Sequence, residues 1–144
     1  MRPSLKSVVV INDSGVTNAE TATGNIDTLG YEWMTLDVMM TTSDDTTNNP
    51  STLKLSQSDD TVASNFADIT KFKGDDADGF TIPAAVTSGN WIAKFNVDLR
   101  GLKRYLKLSV APVTTQGVHA VANLGMADEA PVSAADDVKV IVEG

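Results

Sequence analysis

The sequence contains no cysteine and a single histidine, His119. A chain without thiols has no disulfide, thiolate zinc site, iron–sulfur cluster or cysteine nucleophile. One imidazole also excludes every metal site that needs two or three histidines from one chain, which leaves only carboxylate sites for hard cations. From these absences we expect no enzymatic activity and no cofactor.

Basic residues and long apolar runs are scarce as well. Eleven Lys and Arg stand against nineteen Asp and Glu, a net charge of -8, so the chain is expected to repel nucleic-acid phosphates and anionic lipid headgroups. The apolar run at residues 8–11 is too short for the core of a signal peptide. No window approaches the about 20 apolar residues of a transmembrane helix. We therefore predict neither a nucleic-acid nor a membrane partner.

The composition favours β-structure. Fifteen of the nineteen acidic residues are Asp, and Asp with Ser, Thr, Asn and Gly is typical of turns, whereas helices favour Glu, Lys and Ala. Apolar or alternating runs recur between such turn clusters, as in strands of a sandwich. These runs predict about eight strands, at residues 5–11, 31–40, 52–57, 80–82, 91–99, 102–111, 117–124 and 138–142. A weak further strand fits within residues 16–30, and residues 62–72 fit either a helical turn or an irregular strand.

The length of 144 residues suits one domain. We predict a single all-β domain over residues 1–144, an antiparallel β-sandwich of jelly-roll type, with residues 1–6 as an extended N-terminal arm. Residues 126–137 are a second candidate for an extended segment.

The strongest local pattern lies at residues 91–111, where two alternating runs flank Arg100 and Gly101. It predicts a β-hairpin with those two residues as its turn, which places Trp91 opposite Val110 and Asp98 opposite Lys103. Lys94 would then oppose Lys107, and the two would repel unless an anion or a partner's carboxylate lay between them.

Five of the eleven bases fall in this segment, which makes it a candidate partner-binding region. They are Lys94, Arg100, Lys103, Arg104 and Lys107. In an acidic chain such a cluster is either a solvated edge that guards against aggregation or a surface that docks on an acidic partner.

Trp33 is the sixth candidate for partner binding. It alternates with Met34, Leu36 and Val38, so it lies on the outer face of its strand. A Trp in that position indicates a protein interface or, with Tyr31 or Trp91, a platform for a carbohydrate.

Two other features are candidate sites. The Asp-rich loop at residues 73–79 has ligands suited to calcium, but it does not fit the EF-hand frame, and Asp and Gly form solvated turns without ions. His119 lies in a run of small apolar residues with no nucleophile near it in sequence, so a structural role is favoured over a general base.

One stretch resembles a known group of proteins. Residues 94–112 (KFNVDLRGLKRYLKLSVAP), followed by Thr114-Thr115 and by AVANL at 120–124, are similar to small β-rich structural proteins encoded beside capsid genes in tailed bacteriophages. The upstream motifs GYEW at 30–33 and LKLSQSDD at 53–60 resemble the same group in order and spacing.

The resemblance implies a capsid decoration or cement protein without catalytic residues. Such a protein binds the major capsid protein on the outer surface of the head, at junctions between capsomers, and is often a trimer. It implies a location in the virion, after assembly in the host cytoplasm. Two alternatives stay open: a carbohydrate-binding or adhesin-type β-sandwich, and an enzyme with a pair of Asp residues across a cleft.

Overall fold

A computed structural model describes residues 5–41, 49–83, 90–126 and 138–144. These residues form nine strands and a single turn of 3₁₀ helix at Ala63–Asn65. The strands are β1 (Leu5–Val16), β2 (Ala22–Asp27), β3 (Trp33–Met40), β4 (Pro50–Ser58), β5 (Ala67–Lys73), β6 (Trp91–Asp98), β7 (Tyr105–Pro112), β8 (Gln116–Gly125) and β9 (Val138–Glu143). Within these ranges no helix is long and apolar enough to cross a membrane.

The strands form two sheets packed face to face. The five-stranded sheet has the order β1-β8-β3-β6-β9 and the four-stranded sheet the order β2-β7-β4-β5. The first strand pairs with the eighth, the second with the seventh, the third with the sixth and the fourth with the fifth, all antiparallel. A long antiparallel ribbon rolled into two layers has this pairing, which is the jelly roll. The predicted all-β jelly-roll sandwich is confirmed, with β9 added in parallel beside β6.

The core lies between the inner faces of the two sheets and follows the predicted alternation. Met34, Leu36, Val38 and Met40 of β3 are completely buried, whereas the intervening residues are not. Leucines of β4 and β7, in the opposite sheet, are buried on the other side of the core. Burial of each such side chain contributes roughly 1.5–3 kcal/mol to the free energy of folding. Trp91 is also fully buried, so it is not available as a carbohydrate platform.

The predicted hairpin at residues 91–111 is wrong. β6 pairs with β3 and β9 in the five-stranded sheet, whereas β7 pairs with β2 and β4 in the other. Gly101, with a φ of 87°, lies in a connection that crosses between the sheets. Alternation shows only which side chains of a strand face the core. Two paired strands of a hairpin and two strands that face each other across the core have the same alternation, so the pattern does not distinguish them. Consequently Lys94 lies opposite Asp37 of β3 rather than opposite Lys107.

Several element boundaries also differ from the sequence prediction. The weak strand of residues 16–30 is β2, and residues 62–72 contain both the helical turn and a strand. Residues 80–82 form no strand, since Phe80 makes only an isolated bridge to Gly74. Of the proposed arm at residues 1–6, Leu5 and Lys6 belong to β1, and residues 1–4 lie outside the described residues, as do residues 127–137 of the second candidate segment.

Candidate docking surface on the five-stranded sheet

The outer face of the five-stranded sheet carries a concavity of about 280 Å³. Cross-strand pairing places its residues side by side: Asp37 lies between Val121 of β8 and Lys94 of β6. Most of the residues that line it belong to β3 and its two neighbouring strands: Trp33, Thr35, Asp37, Lys94 and Asn123. Leu5 of β1 also lines it. Two of the six predicted partner-binding residues, Trp33 and Lys94, therefore come together at one place.

Trp33 gives the concavity an aromatic wall. Trp33 is partly buried on the outer face of β3, where it lies next to Gly125 of β8 and Asp98 of β6. Its indole Nε1 is shielded from solvent and has no acceptor among the described residues. Since the N–H group is not accessible, the indole can offer only its carbon atoms to a partner.

The polar side chains beside Trp33 are held by one another. Lys94 Nζ donates to Asp37 Oδ1 at 2.5 Å, and both side chains are part-exposed. Ser7 Oγ of β1 donates a hydrogen bond to Asn123 Oδ1 of the neighbouring strand β8 at 2.7 Å. The charges are compensated locally, so the concavity presents an amphipathic and nearly neutral surface.

An apolar patch borders the concavity at the β1 side. Six large hydrophobic residues of the described chain are exposed, and four of them gather here: Leu5 (72%), Val9 (68%), Val121 (39%) and Met126 (51%). Val9 is opposite Val121, and Leu5 is opposite Gly125, the residue before Met126. We refer to these four residues as the β1-edge patch. Exposed apolar residues that cluster in this way mark interaction surfaces.

The predicted basic region is divided among separate places. Lys94 lies in the concavity, and Lys107 lies on the four-stranded sheet with its Nζ 4.5 Å from the centre of the Phe66 ring. The remaining three lie in or next to the connection between β6 and β7, and each is paired with an aspartate: Arg100 with Asp98, Lys103 with Asp59 and Arg104 with Asp27.

These ion pairs are short and charge-assisted. Arg104 donates two hydrogen bonds to Asp27, at 2.9 and 2.8 Å, and they lower the pKa of Asp27 to about 2. Hydrogen bonds from Arg100 likewise lower the pKa of Asp98 to about 2. The structure thus compensates these cations instead of gathering them into one basic surface.

The Asp-rich loop uses its carboxylates internally. Asp75, at a φ of 55°, accepts a hydrogen bond from the Ile82 N–H at 2.8 Å. Asp76 forms an ion pair with Lys73 at 2.8 Å and accepts from the Asp78 N–H, and the Lys73 hydrogen bond lowers the pKa of Asp76. Among the residues that the structure describes, no group of three or more His, Asp or Glu side chains is placed to hold a metal ion.

His119, on β8, contacts the neighbouring edge strand β1. Its Nδ1 lies 2.8 Å from Asn12 Oδ1, on the neighbouring strand β1. This contact agrees with the structural role that the sequence favoured.

Comparison with known proteins gives limited likenesses. No family model matches the chain, and no curated protein is similar to it in sequence. The SPBc2 prophage-derived protein YomS is similar in structure with a TM-score of 0.46 and 15% identity, over 87% of this chain and 96% of that one. A chain of infectious bursal disease virus, Gx strain, has a TM-score of 0.48 and 10% identity, over 88% of this chain and 32% of that one. Both TM-scores are below 0.5, so neither likeness carries an argument about function.

Proposed function

We propose that the chain is a non-enzymatic structural protein of a virion, a capsid decoration or cement protein. In this proposal it binds the major capsid protein on the outer surface of a phage head and stabilises the shell. It belongs to the capsid surface of the virion, after assembly in the host cytoplasm, and acts as a homo-oligomer. The sequence resemblance motivates the virion setting.

The observation that carries the proposal is the outer face of the five-stranded sheet. There the amphipathic Trp33 concavity adjoins the β1-edge patch, with which it shares Leu5 and Met126, on a chain whose net charge is -8. Burial of apolar area contributes roughly 25 cal/mol per Å², and aromatic residues at the centre of an interface contribute most. A folded protein surface covers such a face better than a small polar ligand does.

The mechanism of cementing follows from linkage. A protein that binds the assembled shell, but not its separated subunits, lowers the free energy of the shell by its binding free energy at each site. A rigid jelly roll that contacts two adjacent capsomers would resist their separation under pressure from the packaged genome. Little movement within the decoration protein is required, because the core between its two sheets is already packed.

The test is binding to phage heads that lack their decoration protein. The purified chain is incubated with such particles, and the bound fraction is measured by co-sedimentation over a range of concentrations. We expect saturation at a fixed number of copies per capsomer and a higher temperature of genome release.

Matched substitutions locate the surface. Trp33→Ala and Val121→Asp should each reduce particle binding at least tenfold, since both change the outer face. Val62→Asp is the control, because Val62 is also exposed but lies between β4 and β5 of the other sheet. Equal binding of all variants, or no saturable binding by the wild type, would refute the proposal.

A carbohydrate-binding role is the second candidate, and the position of Trp33 favours it. The indole lies beside the hydroxyl, carboxylate and amide groups of Thr35, Asp37 and Asn123, and sugars bind aromatic faces flanked by such groups. A glycan array, followed by titration of Trp33 fluorescence, distinguishes the two functions. Saturable glycan binding that Trp33→Ala abolishes, together with no particle binding, would replace the first proposal by the second.

A further inference from the structure

Among the described residues, the first strand is paired along one edge only. β1 is the outermost strand of the five-stranded sheet, and β8 is its strand partner within the described part of the chain. Residues 5–9 pair with β8 in regular register, and a bulge follows at Val10. The Val10 carbonyl packs against Gly24, where a Cβ would lie only 2.1 Å from the oxygen. The strand therefore turns towards the four-stranded sheet after Val9, and the open edge consists of residues 5–9.

This edge lacks the usual protection against pairing. Natural sheets guard open edges with prolines, charges or bulges. Residues 5–9 contain neither proline nor an acidic residue. Their one charged side chain is Lys6, whose ammonium group lies over the Tyr31 ring of the same molecule, 5.9 Å from the ring centre. Leu5 and Val9 are instead largely exposed, as described above.

The edge is self-complementary. We infer that a second copy of the chain pairs with it, β1 against β1 and antiparallel, about a two-fold axis at Ser7. In that register Leu5 of one copy lies opposite Val9 of the other, on the outer face, and Lys6 lies opposite Val8. Two apolar pairs form and no like charges are opposed, which is the favourable arrangement across strands. Each copy contributes its five-stranded sheet, so the pair forms a continuous sheet of ten strands.

A second copy fits this edge better than a segment of another protein does. An isologous contact requires a surface that matches itself after a two-fold rotation, and the spacing of Leu5 and Val9 about Ser7 meets that requirement. A register shifted by two residues would place Leu5 against Ser7 and leave one aliphatic side chain uncovered.

The expected association is reversible. Five paired residues bury less than the about 1,200 Å² of a stable interface, so the dimer should dissociate on dilution. The pairing predicts a dimer, whereas the sequence resemblance implies a trimer.

The inference specifies the oligomer that the proposed function includes, and the edge of β1 carries it independently of binding to a shell. If the proposed function also holds, the pairing places two outer faces side by side, and a dimer would bind the shell through both.

Cysteine cross-linking of the full chain tests the register. Because the protein has no native cysteine, Ser7→Cys introduces a single thiol at the expected two-fold axis, where paired Cα atoms lie within disulfide range. Ser14→Cys is the matched control, since Ser14 is exposed on the same strand beyond the bulge. Under mild oxidation we expect Ser7→Cys to form a covalent dimer at least tenfold faster than Ser14→Cys. Equal rates for the two variants would overturn the inference.

Sedimentation equilibrium tests the association itself. We expect a monomer–dimer equilibrium for the wild type, and a monomer for Leu5→Lys combined with Val9→Lys at the same concentration. Val62→Lys, elsewhere on the surface, should dimerise like the wild type. Circular dichroism verifies that each variant is folded. A wild type that stays monomeric, or a trimer unaffected by the Leu5 and Val9 substitutions, would refute the pairing. Particle binding is measured separately, so docking on the shell is tested independently of the dimer.

Discussion

Replacement of Gly24 by alanine should destabilise the protein, because β1 and β2 approach each other too closely there for a side chain. A Cβ at Gly24 would lie 2.1 Å from the Val10 oxygen and 2.7 Å from Val10 Cγ1. Contacts of Cβ atoms begin at about 3.0 Å, so the bulge at Val10 would have to move by about 0.9 Å. Overpacking of this kind lowers the free energy of unfolding by roughly 1–3 kcal/mol. Alanine also lowers the conformational entropy of the unfolded chain, which offsets about 0.4–1 kcal/mol of that loss. We expect a net loss of about 1–2 kcal/mol.

Two other glycines serve as internal controls. Nothing lies within 4 Å of a Cβ at Gly15, so Gly15→Ala should leave stability unchanged or raise it by up to about 1 kcal/mol. Gly101 is equally open but has a φ of 87°, so Gly101→Ala should cost about 1 kcal/mol from backbone strain alone.

Urea unfolding monitored by circular dichroism measures the stability of all three variants. With a slope of about 2 kcal/mol per M, the midpoints of Gly24→Ala and Gly15→Ala should differ by about 1 M. Equal midpoints for Gly24→Ala and Gly15→Ala would refute the close approach of β1 and β2.

Three further predictions concern the core, an ion pair and the Asp-rich loop. Leu108→Ala, at a completely buried site of β7, should lower the free energy of unfolding by about 2–5 kcal/mol in the same urea assay. The pKa of Asp27 is lowered to about 2 from 3.8, so the stabilisation from its pair with Arg104 is complete above about pH 5 and is lost progressively as the pH falls to about 1. Asp27→Asn should therefore cost less than about 1 kcal/mol at pH 6, because both side chains are part-exposed, and only a small part of that cost at pH 2; an equal cost at both pH values would contradict the assignment. Since Asp75 and Asp76 already bond within their own loop, calcium or a chelator should leave Tm unchanged, and a decrease of several degrees with chelator would establish a calcium site.

Much of the fold could be predicted because period-two alternation directly records which side chains face a core. The buried and exposed faces of β3 follow from Met34 and Trp33 without any knowledge of neighbours. Alternation does not record which sheet a strand joins, so the patterns of β6 and β7 predict a hairpin that the structure does not contain. The pattern would be the same for partners within a sheet and for strands that face each other across the core.

The candidate site was predictable in part for the same reason. The outward position of Trp33 could be derived from its own strand, whereas its proximity to Lys94 depends on the pairing of β3 with β6. The ion pairs of Lys103 and Arg104 join residues 44 and 77 positions apart, and no local pattern specifies such contacts. Leu5 and Val9 belonged to an evident apolar run, but only the sheet order shows that their strand is at an edge.

In our proposal the outer face of the five-stranded sheet docks on a viral shell, and hydroxyl-radical footprinting of the chain on decoration-free heads locates the contact residue by residue. Oxidation of Trp33 and Met126 should decrease severalfold when the chain is bound. Oxidation of Phe66, which lies beside the four-stranded sheet, should not change. Protection of Phe66 with Trp33 and Met126 still reactive, or no protection at all on saturated particles, would show that the shell does not bind this face.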